Sequence, residues 1–331
     1  MSDNELKVLE IINKEASITQ KYIADKLNIS VGNVNSIIKN LTSQKYIRIE
    51  KISRKQFYKL DEKGINALEN FIKTSYDKKI TIPHEGYRDI KSAVILAAGE
   101  RESFEIPVGF LELGEKTVIN RIINILMRNG IDKIIIITGY KSNYYDEFKD
   151  SKCIYLVKNE DYKNTGTMYS LSLAKDIIDD DFILIESDMV FEERAIEEII
   201  KEKNRNSILI TEKSGLGDEV FVEIRDNFIY KLSKDIHEFN RVDGEMVGIT
   251  KISIDIFNKM IDYFQTNDNP YQNYEYALID IARTYNVGYV KINDLVWSEI
   301  DNLGHYKNLI NYIYPILKEK EIKKSTKEEK K

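Results

Sequence analysis

The 331-residue sequence predicts an α/β fold: a mainly parallel sheet flanked by helices, preceded by a small α+β domain. Three observations predict it. From Ser92 onward, short apolar runs of strand length alternate with stretches whose apolar residues recur at helical spacing. The first run, Ser92–Ala97, stops at Ala98-Gly99, where the backbone can turn sharply. Residues 1–76 lack that alternation and read instead as three helices, a hairpin and a fourth helix. The length suffices for two cores, and the expected division is 1–76, a linker at 77–90, a large domain at 91–318 and a charged tail at 319–331.

Composition narrows the chemistry. Cys153 is the only cysteine, which excludes intramolecular disulfides and thiolate metal cages, and His84, His237 and His305 are too scattered to suggest a histidine metal site. No apolar run reaches membrane-spanning length and the N-terminus lacks a signal-peptide pattern, so a soluble, cytoplasmic protein without a membrane partner is expected. Charge is split along the chain. Residues 1–76 carry 13 Lys and Arg against 9 Asp and Glu, a net of +4, and residues 77–331 carry 36 against 46, a net of −10. A basic module is fused to an acidic one.

In the first module, Leu6, Leu9 and Ile12, widened by Val8 and Ile11, give an amphipathic helix. Thr19 offers a cap for a second helix whose inner face holds Tyr22, Ile23 and Leu27, and Ser30 caps a third carrying Val31, Val34, Ile37, Ile38 and Leu41. Residues 46–50 and 56–60 read as strands around Ser53-Arg54-Lys55, and a further helix covers 61–76. That order resembles the winged helix-turn-helix of the multiple-antibiotic-resistance type. The resemblance implies double-stranded DNA as partner, a homodimer, Asn33, Asn35, Ser36 and Lys39 turned to base edges, and Arg54 and Lys55 on phosphates. A docking or dimerisation module is the alternative use of the same fold.

Residues 77–90 mix charge with Pro83 and Gly86 and read as a connector. Beyond them, strand Ser92–Ala97 is followed by a helix over 117–129 ended by Gly130, a strand over 134–138, and a strand over 153–157. Asn164-Thr165-Gly166-Thr167 opens another helix, where small polar residues cap it or bind an anion or base edge. Phe182-Ile183-Leu184-Ile185-Glu186-Ser187-Asp188 is a strand that delivers a carboxylate at its carboxyl end. Residues 218–224 and 227–232 predict a hairpin, and Leu295 to Asp301 again sets acids at a strand end. Residues 318–331, apolar only at Ile322, read as a frayed helix end and a solvated tail.

Leu96-Ala97-Ala98-Gly99 with Pro107, the stretch from Asn164 to Leu171, Glu186-Ser187-Asp188-Met189, and Gly244-Glu245-Met246-Val247-Gly248-Ile249 together resemble nucleotidyltransferases that activate sugar phosphates, phosphocholine and phosphonates. The resemblance implies a Rossmann-like sheet and a Mg²⁺-dependent transfer, with Asp188 and Asp301 as metal ligands. It implies nucleotide contacts at Leu96, Ala97, Ala98, Gly99, Asn159, Thr165, Gly166 and Thr167, with CTP the favoured triphosphate. The acceptor expected is a phosphorylated or phosphonate small molecule of the phosphocholine or 2-aminoethylphosphonate type, met by Glu245, Glu275, Trp297 and Tyr169. Arg101, Glu102 and Ser103 stand where the family has Gly, Ser or Thr, and Arg, and Val108 replaces its Lys. Arg101 and Lys158, with Lys141 as a further candidate, are therefore the expected cations for the leaving pyrophosphate. These departures leave a second account open, a transcription regulator whose transferase-like domain senses a metabolite with little or no turnover.

Overall fold

The computed structural model describes all residues except 15–17, 53–54, 74–78, 81–88, 216–218, 268 and 329–331. The chain forms two compact units, Met1–Arg88 with Ala282–Val287, and Asp89–Ile281 with Gly288–Lys331.

In the first unit, α1 (Asp3–Lys14), α2 (Gln20–Leu27) and α3 (Val31–Ser43) lead into β1 (Ile47–Ile52), β2 (Lys55–Leu60) and α4 (Glu62–Lys73). The anticipated caps are made: Thr19 accepts from the Tyr22 amide at 3.1 Å, and Ser30 from the Asn33 amide at 3.2 Å. Leu9, Ile12, Ile23, Val34, Ile38 and Leu41 are buried, which joins the helices through the apolar stripes that the periodicity marks. β1 and β2 pair antiparallel with Ile47 opposite Leu60. A segment from late in the chain completes this unit. The Ile80 amide donates to the Thr284 carbonyl and the Asn286 amide to the Ile80 carbonyl, both at 2.7 Å, and Tyr285 is buried. Contiguous pieces of sequence give no sign of that return.

The second unit is built on a nine-stranded sheet. β3 (Ser92–Ala97) lies at its centre with every residue buried, because it has parallel neighbours on both edges and helices over its faces. The two-residue strands β4 (Glu112–Leu113) and β5 (Lys116–Thr117) precede α5 (Val118–Arg128), which Thr117 caps. β6 (Lys133–Thr138) and β7 (Ile154–Lys158) extend the sheet on one side of β3, and β8 (Phe182–Glu186), after the short helix α6 (Thr167–Ser172), adjoins it on the other. β9 (Met189–Phe191) and α7 (Arg194–Lys201) lead to β10 (Ser207–Thr211), to the hairpin β11 (Phe221–Arg225) and β12 (Phe228–Ser233), and to β13 (Gly244–Ile252). The hairpin turns on Asp226 and Asn227, both at positive φ, as a two-residue turn between strands requires. α8 (Ile254–Gln265), α9 (Tyr274–Ala282), β14 (Gly288–Lys291), β15 (Trp297–Glu299), α10 (Leu303–Asn308) and α11 (Tyr314–Glu328) finish the chain. β13 runs antiparallel to β8 and also to β10 and β11, while β14 pairs parallel with β10 at that side of the sheet.

The predicted solvated tail is corrected by α11. Lys320 pairs with buried Glu192 at 2.9 Å and Lys324 with Glu193 at 3.1 Å, so the lysines dock a helix that a charge run alone suggests should fray. Among the described residues, no helix is long and apolar enough to cross a membrane.

One buried ion pair ties the amino end of β8 to the elements beyond it. Arg205 forks onto Asp181 with contacts of 2.8 and 2.7 Å, both side chains almost wholly buried, and Asp181 also accepts from the Ile254 amide at 3.1 Å. Replacing Arg205 by Leu strands a buried carboxylate, and chemical denaturation is expected to show a loss of about 3–5 kcal/mol.

Candidate active site

The site forms where β3 and β8 end side by side. Their parallel register sets Leu96 opposite Glu186, and the Ser187 amide donates to the Leu96 carbonyl at 3.0 Å. The turn after β8 therefore lies against Ala98-Gly99. Glu186 closes β8 and Asp188 stands in the turn that follows, with a carboxylate oxygen of each within 4.8 Å of the other. β15 then brings in a distant segment: it pairs with β9, Glu299 opposite Met189, and the Ile300 amide donates to the Asp188 carbonyl at 3.0 Å. Sheet hydrogen bonding thus brings Asp188 beside Glu299 and Asp301 across more than a hundred residues of sequence.

Arg101 sits among these acids. Its Nη2 is 2.7 Å from Asp188 Oδ2, 3.0 Å from Asp301 Oδ1 and 3.9 Å from Glu299 Oε1. Burial opposes the guanidinium charge, but Asp188, then Asp301 and Glu299, outweigh it and raise the Arg101 pKa. One oxygen each from Glu186, Asp188 and Glu299 lies within 4.8 Å of the others. Asp188 Oδ1 is buried with no hydrogen-bond partner among the described residues. Clustered hard oxygen donors, one of them orphaned, fit a divalent ion such as Mg²⁺.

Two hollows meet at Glu186. A cleft of about 150 Å³ is lined by the predicted Leu96, Ala97, Ala98, Gly99, Thr167 and Asp188, together with Arg101. A smaller one, about 60 Å³, collects Glu186, Glu219, Glu245, Glu275 and Glu299 with Lys234 and Trp297. Glu186 fits between them because Gly248 has no side chain: a Cβ there would lie 3.1 Å from its carboxyl carbon. Tyr274 donates its hydroxyl proton to Glu186 Oε1 at 3.0 Å. Desolvation, aided by the charges of Glu275 and Asp188, pushes the Glu186 carboxyl up to about 8, and burial also raises Glu275.

The other predicted residues stand as follows. Asn159 is buried and gives its amide to Thr165 and Ser170, each at 3.0 Å, bracing the start of α6 instead of lining the cleft. Thr165 donates to the Asp161 carbonyl at 2.8 Å, and Gly166 is pinned by its amide to the Pro270 carbonyl at 2.8 Å. Lys158 pairs with Glu160 at 2.8 Å at the end of β7, two strands from β3, and Lys141 donates to the Glu105 carbonyl; neither lines the cleft. Tyr169 packs edge-on to Phe264 with ring centroids 6.5 Å apart and lines neither hollow, so it does not join Glu245, Glu275 and Trp297. Glu245 accepts from the Ser214 amide and hydroxyl at 2.6 and 3.0 Å.

On α3, Asn33, Ser36 and Lys39 are exposed and Asn35 is half-buried, while Ser36 returns its hydroxyl to the Gly32 carbonyl at 3.1 Å. Arg48 pairs with Glu50 and Asp61, and Lys59 with Glu50, which neutralises part of the basic stretch. Arg54 and the side chain of Lys55 lie outside the described residues.

Glu186 is the site residue that sequence reasoning missed. Its signal was present, an acid two positions before Asp188 at the end of an apolar strand. Because its pKa is raised above the ordinary value near 4.5, the protonated form belongs to the fold, and its stabilising contribution is complete below pH 4.5 and lost as pH rises through about 8. In metal-free protein, Glu186→Gln is expected to gain stability over wild type between pH 5 and 8, by on the order of 3 kcal/mol, measured by urea denaturation at both ends of that range.

Residues 1–48 match the family described as winged helix-turn-helix DNA-binding, and residues 93–239 match the MobA-like NTP transferase domain. The chain is 25% identical over 218 residues to the bifunctional IPC transferase and DIPP synthase of Thermococcus kodakarensis, a match covering 63% of this chain and 47% of that protein. A protein of the same name from Archaeoglobus fulgidus is covered over 32% of its length, so the chain spans less than half of either relative. The choline-phosphate cytidylyltransferase of Haemophilus influenzae is 24% identical over 251 residues, covering 68% of this chain and 98% of that one. The inositol-1-phosphate CTP transferase from T. maritima superposes with a TM-score of 0.60 at 16% identity, over 70% of this chain and 97% of that one, a likeness of fold. The chain therefore joins a winged helix-turn-helix DNA-binding domain to an NTP transferase domain of the MobA-like family.

Proposed function

We propose that the second unit is a Mg²⁺-dependent nucleotidyltransferase that moves a cytidylyl group from CTP to a phosphorylated or phosphonate acceptor bearing a positive charge. The observation that carries this reading is the meeting of Asp188, Glu299 and Asp301 on one cation beside the turn after β3. The names of the cytidylyltransferase relatives support the nucleotide. Five carboxylates and Trp297 around the smaller hollow support an acceptor of the phosphocholine or 2-aminoethylphosphonate type.

In this reading an acceptor phosphate or phosphonate oxygen attacks the α-phosphorus of CTP, the bond to the bridging oxygen breaks, and pyrophosphate departs. The attacking oxygen is already an anion, so no side chain has to remove a proton. Asp188 with Asp301 or Glu299 would hold Mg²⁺, which neutralises charge on the triphosphate when bound. Ala98 and Gly99 leave the backbone open to the nucleotide, and Thr167 flanks it from α6. Arg101, which lines the cleft, stabilises the leaving pyrophosphate in place of the family's missing cations. The first unit offers Asn33, Ser36 and Lys39 to double-stranded DNA as one half of a homodimer.

A second reading, nucleotide binding without turnover, is favoured by the hold of Arg101 on the very acids that Mg²⁺ needs. Pyrophosphate release separates the two. With CTP, Mg²⁺ and either acceptor, the wild type is expected to release pyrophosphate, Asp188→Asn to lose about 10²- to 10³-fold in kcat, and Arg101→Ala about 10²-fold. Tight CTP binding with no pyrophosphate from either acceptor would select the non-catalytic reading.

A further inference from the structure

We infer that occupancy of the transferase cleft is passed through α9 to the winged helix, so that the chain binds DNA in a ligand-responsive way. The inference rests on the reading that the cleft takes a nucleotide and that α3 takes duplex DNA.

The beginning of α9 is wired into the site. The Tyr274 amide donates to Thr167 Oγ1 at 2.9 Å, its hydroxyl donates to Glu186, and Glu275 lines the acidic hollow. The residues just before it are held on α6: the Met168 amide donates to the Gln272 carbonyl at 3.1 Å, and a Cβ on Gly166 would lie 2.4 Å from the carbonyl oxygens of both Tyr271 and Gln272. Any group that binds Thr167, or that changes the charge facing Glu186, therefore acts directly on the first turn of α9.

The end of α9 belongs to the other unit. Ala282 and the residues through Val287 are part of the first unit, after which the chain returns to the second as β14. Within the first unit, Ile80 exchanges backbone hydrogen bonds with Thr284 and Asn286, and the buried Tyr285 bonds through its hydroxyl to Glu69 on α4. α4 packs on α1, and Glu5 of α1 accepts from Asn40 of α3 at 2.6 Å. A nine-residue helix is stiff and about 13 Å long, so movement at Tyr274 reaches Ala282 without being absorbed on the way. A lone linker at residues 77–90 would decouple the units; the second passage through α9 supplies a route that a lone linker lacks.

The test uses the full chain and a duplex that it selects from a random library. CTP binding is measured by calorimetry, and DNA affinity by anisotropy without and with CTP, Mg²⁺ and 2-aminoethylphosphonate. Wild type is expected to bind CTP and to change its DNA Kd at least about fivefold, whereas Tyr285→Phe binds both ligands and loses most of that change. Hydrogen exchange over residues 282–287 gives a readout that needs no variant: saturating CTP and Mg²⁺ alter the protection of the Asn286 amide. Coupling is overturned if wild type binds both ligands with an unchanged DNA Kd, if Asn286 protection does not respond, or if Tyr285→Phe keeps the full response. Failure to bind CTP, or to bind any duplex, overturns the functional reading underneath and this inference with it.

Discussion

Four acids in one small, half-buried volume repel one another, and that repulsion governs the rest of the second unit. Glu186, Asp188 and Glu299 bring oxygens within 4.8 Å of one another, and Asp301 shares Arg101 with two of them. Arg101 supplies the cation for three of them, while Glu186, left facing Glu275 in a desolvated pocket, favours the proton. The guanidinium offsets the negative charge that the strands gather there.

The sheet is what makes the crowding possible. Parallel pairing of β3 and β8 brings the turn after β3 and a carboxylate together, and the short β9–β15 ladder carries Glu299 and Asp301 to the same place. Each partner is fixed by backbone hydrogen bonds, so the acids cannot drift apart to relieve their repulsion. The strain-free way to accommodate Glu186 is the bare Cα of Gly248 across the sheet from it, a vacancy that any larger residue would fill. Glu186 and Glu299 end their strands, and Asp188 and Asp301 stand two residues farther on, in the turns that follow.

Much of this was readable in advance, and the exceptions share a cause. Periodicity and caps marked α1 to α3 and the central strands because local patterns decide them, and the acids near the strand ends were visible, but the pairing of Asp188 and Asp301 with Arg101 carried no local signal. Glu186 was overlooked because an acid within an apolar strand reads as the strand's last residue until the pocket behind it is known. Tyr169 was assigned to the acceptor on residue type, yet helical phase turns it to Phe264. The end of the chain looked unfit for packing, since the partners that hold Lys320 and Lys324, Glu192 and Glu193, lie far away in sequence, just before α7. Tyr285 joins the first unit by a pairing with Ile80 that spans some two hundred residues, and no local signal encodes it.

That last pairing bears on how such a fusion can be inherited. Two domains strung end to end can be lost or exchanged by a single break in the gene. Here the smaller unit is discontinuous, with Ile80 bonding the backbone on either side of a tyrosine encoded far downstream and Glu69 bonding its hydroxyl. A break near residue 88 would therefore separate Ile80 and Glu69 from the segment that they bond.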